Sequence, residues 1–186
     1  RVIMSFVYAP YKLLSAGKEV RTVDDFRGMK LRTTGGALDL ATRELGAVSV
    51  QMGSSEIYES LSRGTLDGVF FALLGAKPYE LQKVVKSATV GFNFGTVAVA
   101  WVMSDAKYGQ LPADVKDAMA KAAVIAEKTF CTFADANEVK EQDALEKGGV
   151  KIVRMDPAEQ KRLADKLAPV TLQWAKGLDA RGKSAT

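Results

Sequence analysis

The segment from Gly28 to Gly68 constrains the fold more than any other part of the chain. Met29 to Thr33 reads as a short strand, and a small-residue turn, Thr33-Thr34-Gly35-Gly36, follows it. Apolar residues at Leu38, Ala41 and Leu45 then recur at spacings of three and four, the period of a helix over Gly36 to Leu45. Gly46 suits its C-terminal end. Val48 to Met52 alternates and predicts a second strand. Ser54 or Ser55 is expected to cap a second helix that turns Ile57, Tyr58 and Leu61 inward and stops at Gly64. Leu66 to Leu73 is apolar apart from Asp67, the pattern of a strand covered on both faces. Strand, helix, strand, helix, strand is the signature of an α/β fold with a mostly parallel sheet.

The flanks extend the pattern. Val2 to Tyr8 is a strand broken by Pro10, and Lys12 to Val20 holds a second extended segment. Thr22 with Asp24 and Asp25 resembles a helix start, with acids near the positive helix end. A short helix is expected over Pro78 to Val84, and Ala88 to Phe94 is extended. Thr96 to Met103 is the strongest strand pattern in the chain. Ser104 or Asp105 caps a short helix, and Leu111-Pro112 opens a long one reaching about Lys147. Val115, Met119, Ala122, Ala126, Phe130 and Phe133 give that helix an apolar stripe. Gly148-Gly149 breaks it. Val150 to Val153 is a strand, and Asp156-Pro157 starts a final helix to about Leu178. The polar tail RGKSAT is expected to fray.

Composition narrows the chemistry. The 186 residues are 47% hydrophobic and 26% charged, a globular balance for one domain or little more. The net charge of +4 is spread among acids rather than gathered on one face, which argues against nucleic acid. With one cysteine and no histidine, an internal disulfide, most zinc chemistry and a Ser-His-Asp triad are excluded. Cys131, in a helical run, reads as a small packed side chain. No cofactor motif or metal-ligand set is evident. The Gly35-Gly36 turn is neither a Walker loop nor G-x-G-x-x-G. RVIMSFVYA opens like a strand entered mid-fold, without a signal peptide, so the chain reads as part of a longer protein.

Arg32 is the residue with the clearest chemistry. A cation at the carboxyl end of a strand, beside a helix N-terminus, sits where small ligands bind in open α/β sheets. Its planar fork fits a carboxylate at two points. Asp67 reads as a cap on backbone donors at a strand bend. Tyr58 and Trp101 read as core, as do most of Phe70, Phe71, Phe92 and Phe94, with one of these four free to wall a pocket.

The run Asp25-Phe26-Arg27-Gly28-Met29-Lys30-Leu31-Arg32 comes first in a longer set of motifs. Leu45-Gly46-Ala47, Met52, Ser55-Glu56-Ile57-Tyr58 and Leu61 follow. Gly64-Thr65-Leu66-Asp67-Gly68, Tyr79-Glu80-Leu81-Gln82-Lys83 and Tyr108-Gly109-Gln110-Leu111-Pro112 complete it. In this order and spacing, over nearly the whole chain, the set resembles the solute-binding proteins of tripartite ATP-independent periplasmic (TRAP) transporters, DctP type. The resemblance implies a periplasmic-binding-protein-like (type II) two-lobed α/β fold, here truncated, with a long bracing helix and a C-terminal helix. Residues 1–11 and 98–135 would be the remnant of the first lobe, and residues 12–97 and 136–186 the second.

The resemblance further implies a periplasmic protein that binds a small organic acid between the lobes and delivers it to membrane permease subunits. The family's carboxylate-binding arginine falls on Arg32. Pocket positions fall on Ser54, where several members carry an aromatic, and on Phe71, where they carry a polar residue. That exchange points to an acid less polar than a sugar acid. Thr34, Gly35 and Asn93 complete the expected ligand-binding set, and a second basic pocket residue falls near Lys12. Two other readings stand beside this one. An enzyme on a similar fold would have only Asp67, Glu56 and Cys131 to work with. A ligand-sensing effector domain would need a helix-turn-helix upstream.

Overall fold

The computed structural model describes residues 1–185. The chain runs β1 (Val2–Val7), β2 (Tyr11–Ser15), β3 (Lys30–Thr33), α1 (Ala37–Glu44), β4 (Val48–Gln51), α2 (Ile57–Ser62), β5 (Gly68–Ala72) and α3 (Leu73–Ala76). It continues through β6 (Ser87–Val90), β7 (Ala98–Val102), α4 (Asp105–Gly109), α5 (Ala113–Lys147), β8 (Lys151–Arg154), α6 (Pro157–Leu167) and α7 (Val170–Asp179). Six strands form one sheet in the order β4-β3-β5-β2-β6-β8, and β1 and β7 form a separate antiparallel pair.

The core follows from alternation along the central strands, since successive side chains point to opposite faces. In β5, Phe70 and Ala72 face a cluster with Leu13, Phe26, Leu45, Met155 and Leu163. Val69 and Phe71 face the other way, among Leu14, Ile57, Leu61, Leu81 and Leu145. Every residue of β5 is buried, as a strand covered on both faces requires. Gly68 is part of that closeness: a Cβ there would lie 2.8 Å from the Leu14 carbonyl oxygen. Asp67, just before it, accepts the Lys30 amide at 2.7 Å through Oδ2, the backbone-capping role expected of it.

The sheet is mostly parallel, as expected: β3 pairs in parallel with β4 and β5, and β6 with β8, while β2 is the one reversed strand, antiparallel to β5 and β6. Several other expectations are corrected. Neither Ser54 nor Ser55 caps α2 with its side chain; a 3-10 turn over Ser54–Glu56 leads into that helix. The helix expected over Pro78 to Val84 is a 3-10 turn, Leu81–Lys83, after the four-residue α3. The final helix is two helices, broken at Ala168-Pro169, because proline lacks the amide that would continue the ladder. The tail is tied back by Lys183 N to Leu178 O at 3.0 Å and Ala185 N to Asp179 Oδ1 at 2.7 Å. The end of the expected frayed segment, at residue 186, lies outside the described residues.

The remaining corrections concern one surface. Trp101, read as core, is 53% exposed, and Cys131 is exposed rather than packed. The apolar stripe of α5 is largely open, with Val115 and Phe133 exposed. The physical reason is that β1 and β7 form only a two-stranded sheet. Phe6 packs on Phe130 of α5 with ring centroids 4.1 Å apart, and little else covers that face. Farther along, the same helix buries Leu145 against the six-stranded sheet, so α5 touches both sheets. Among the described residues no helix is long and apolar enough to cross a membrane.

Candidate functional site

Arg32 sits in β3 between β4 and β5, one residue before the turn that launches α1. Parallel pairing on both sides leaves its side chain only 3% exposed. The loop after β4 holds it: Nε donates to Met52 O at 3.1 Å and Nη2 donates to Ser54 Oγ at 3.3 Å. These two bonds use the Nε edge of the guanidinium. Nη1 is buried and has no hydrogen-bond partner. Among the described residues no carboxylate pairs with Arg32; the Tyr11 hydroxyl lies close enough to interact with the guanidinium as a hydrogen-bond partner, and Tyr79 acts on it through its charge. Burial pushes its pKa below the ordinary arginine value, partly offset by Tyr11. A guanidinium so placed still holds its charge, because its ordinary value lies so far above neutrality.

The groups touching the guanidinium line a small pocket of 230 Å³ formed by Tyr8, Tyr11, Ser54, Phe71, Ala72, Tyr79, Val97 and Val99. The Phe71 ring centroid is 5.8 Å from the guanidinium carbon. Tyr11 stacks beside Phe71 at 6.3 Å, and Tyr79 meets it edge-on at 5.5 Å. Burial raises the Tyr11 hydroxyl pKa, with Arg32 pulling against it, so both groups keep their neutral-pH forms. Burial likewise raises Tyr8.

Of the residues expected at the site, Arg32, Ser54 and Phe71 are brought together. Ser54 acts first on the arginine, accepting from it. Thr34 is exposed, and the Gly35 amide already donates to Thr33 Oγ1 at 3.2 Å. Both glycines of the turn take positive φ, 84° at Gly35 and 63° at Gly36. The space a side chain would take at Gly35 is filled by the Gln51 amide, 2.8 Å from a built Cβ. The turn therefore serves the Thr33 and Gln51 contacts, and neither Thr34 nor Gly35 lines the Arg32 pocket.

Asn93 lies elsewhere. Its Oδ1 accepts from Lys12 Nζ, and Lys12 also pairs with Glu138 at 3.2 Å. These three, with Gln142 and Arg154, line a separate polar groove. Lys12 is thus a buried, compensated cation rather than a second free one.

Tyr8, Tyr11 and Tyr79 are absent from the expected ligand-binding set, although Tyr79 belongs to one of the family motifs. Tyr8 and Tyr11 flank the Ala9-Pro10 break between β1 and β2, and a Pro-interrupted pair of aromatics is the signal that could have flagged them. Tyr79 precedes Glu80, whose φ of 56° is the one positive value outside glycine among the described residues. Among the described residues there is no cluster of three or more metal-ligating side chains.

A mostly parallel sheet, a second two-stranded sheet and a long helix touching both define an α/β fold, with a buried arginine at a strand end as its candidate anion site. The chain belongs to the DctP family, described as bacterial extracellular solute-binding protein, family 7, which matches residues 2–177. It is 29% identical over 184 residues to the C4-dicarboxylate-binding periplasmic protein DctP of Vibrio cholerae, covering 95% of this chain and 53% of that protein. A solute-binding protein of Albidiferax ferrireducens is 25% identical over 166 residues, covering 88% of this chain and 49% of the relative.

Among solved structures, a TRAP solute-binding protein from Rhodoferax ferrireducens T118, in complex with copurified benzoate, superposes with a TM-score of 0.91 at 20% identity. It covers all of this chain, which is 59% of that one. The two-lobed periplasmic-binding fold is that of these neighbours, and the chain is truncated relative to them. It spans about half the length of the curated relatives it matches. Those relatives are solute-binding proteins, not enzymes.

Proposed function

We propose that the chain is the arginine-bearing part of a periplasmic solute-binding protein that captures an organic acid through Arg32 and delivers it to TRAP permease subunits. The observation that carries this reading is the buried Nη1 of Arg32, a charged donor without partner. An unsatisfied buried donor is costly, roughly 1–3 kcal/mol and more for a charged group. A carboxylate taking Nη1 and the second N–H of Nη2 satisfies the end of the fork in bidentate fashion. The Nε edge stays with Met52 and Ser54, so the ligand does not have to displace the bonds that aim the side chain. Phe71 then packs on the apolar part of the acid.

The division of the chain belongs to the same proposal. Residues 1–11 and 98–135 are assigned to the first lobe, and residues 12–97 and 136–186 to the second. Closure of the lobes over an acid would exclude water and strengthen the ion pair through the lower local dielectric. Ligands bound by relatives, such as the C4-dicarboxylate in the Vibrio cholerae protein's name and the benzoate in the Rhodoferax ferrireducens complex, support the carboxylate class.

Calorimetric titration with a panel of organic acids tests the reading. Arg32→Ala is expected to lose about 2–5 kcal/mol of binding, the scale for truncating one partner of a buried charge pair. Unchanged affinity in Arg32→Ala would remove the site assignment.

A further inference from the structure

We propose that the Arg32 site selects acids with a single carboxylate on a planar aromatic body over aliphatic dicarboxylates. The inference rests on the reading of Arg32 as the carboxylate anchor, and it names the class of acid from the walls of the pocket.

Four rings surround the space next to the guanidinium: Tyr8, Tyr11, Phe71 and Tyr79, with Val97 and Val99 completing the wall. The rings are not collapsed on one another face to face. Tyr11 and Phe71 lie 14° from parallel with centroids 6.3 Å apart, and Tyr79 stands at 87° to Phe71. A flat ring inserted here meets both faces and edges, the two geometries that aromatic pairs prefer. The volume also suits a small aryl acid. An apolar cavity of about 150 Å³ already takes up benzene, and this pocket offers 230 Å³.

The charges among the described residues favour one acid class. None of the described residues lining the pocket is a lysine or arginine, and among them Arg32, behind Ser54 and Phe71, is the cation beside it. Lys12 cannot serve, because Glu138 and Asn93 hold it in the separate polar groove. Lys77 lies in a neighbouring hollow beyond Tyr8, and Glu141 accompanies it there. A second carboxylate would therefore meet tyrosine hydroxyls and Ser54 but no cation among the described residues, and burying a charge without a counterion is unfavourable.

Nη1 is closed off from solvent. Tyr79, which meets Phe71 edge-on, is 41% exposed at the rim of the pocket.

The test is calorimetric titration of the protein with benzoate and with succinate, repeated on Arg32→Ala, Phe71→Asn and Tyr79→Ala. Benzoate is expected to bind at least tenfold tighter than succinate, with Arg32→Ala abolishing both. Phe71→Asn should weaken benzoate tenfold or more and leave succinate within about threefold. Should Phe71→Asn fail to fold, Tyr79→Ala, at an exposed position, carries the same expectation of a selective loss for benzoate. Arg32-dependent binding of succinate as tight as benzoate overturns the selectivity while leaving the anchor in place. Absence of Arg32-dependent binding for either acid overturns the anchor and the inference with it.

Discussion

Ser54 Oγ accepts a 3.3 Å hydrogen bond from Arg32 Nη2, joining the loop after β4 to a side chain at the end of β3. Met52 O, two residues earlier in the same loop, takes Nε at 3.1 Å. One short loop therefore fixes the rotation of the guanidinium and leaves its far end unspent. The parallel pairing of β3 with β4 makes this possible, since it brings both carboxyl ends to the same edge of the sheet.

Ser54→Ala tests that arrangement. Removing the acceptor leaves a second guanidinium nitrogen short of a partner and frees the fork to rotate. Acid affinity should fall by roughly fivefold, about 1 kcal/mol for one hydrogen bond, while the fold is retained. Titration of the same acids against both proteins, beside their thermal melts, gives the comparison. Undiminished affinity would show that Ser54 does not aim Arg32.

Arg32→Met separates binding from stability. A buried charge without a counterion can be replaced by an apolar side chain of similar length at little cost or with a gain. In the absence of ligand, the variant's urea midpoint should match or exceed that of the parent, although acid binding is lost. A large drop in midpoint would mean that the Met52 bond matters more to the fold than the buried charge costs it.

Gly68→Ala should destabilise the protein by about 1–3 kcal/mol, the range for overpacking a close-packed interior. The added methyl meets the Leu14 carbonyl at 2.8 Å, and backbone cannot swing away as a side chain can. Chemical denaturation reads the change directly. A neutral result would show that β2 and β5 can separate locally without penalty.

Asp25 predicts a pH dependence. Burial raises its pKa, but amide bonds from Arg21 and Thr22 and the Thr22 hydroxyl outweigh this, so the net shift is downward. These bonds measure 2.9, 2.8 and 3.0 Å to Oδ2. A carboxyl that releases its proton more readily when folded stabilises the fold above its unfolded pKa. That contribution is lost as pH falls through the folded value. Asp25→Asn should lower stability at neutral pH and flatten the acid limb of the stability profile. Parallel acid limbs in parent and variant would contradict this.

The segment from β3 to β5 was legible because its information is local. Helical spacing at Leu38, Ala41 and Leu45, glycines at the stops and an apolar run at β5 each report on neighbours in sequence. The direction of β2 was not legible, since Leu13 and Leu14 are apolar whichever way the strand runs. Trp101 and the stripe on α5 misled for a different reason: apolar pattern reports what a surface is suited to cover, and here β1 and β7 cover only part of it. At the site, Arg32, Ser54 and Phe71 followed from resemblance and position. The tyrosines did not, because Tyr8, Tyr11 and Tyr79 come from three separate parts of the chain and meet only in the folded state. Asn93, expected in the ligand-binding set, is joined to Lys12 in a groove apart from Arg32, a pairing between distant parts of the chain that spacing does not show.

The most direct measurement is a crystal structure of the protein grown with benzoate. A carboxylate oxygen should lie about 2.7–2.9 Å from Arg32 Nη1, the length of a charge-assisted bond, with the ring of the acid beside Phe71. An acid found bound elsewhere, with Nη1 still lacking any partner, would contradict the account.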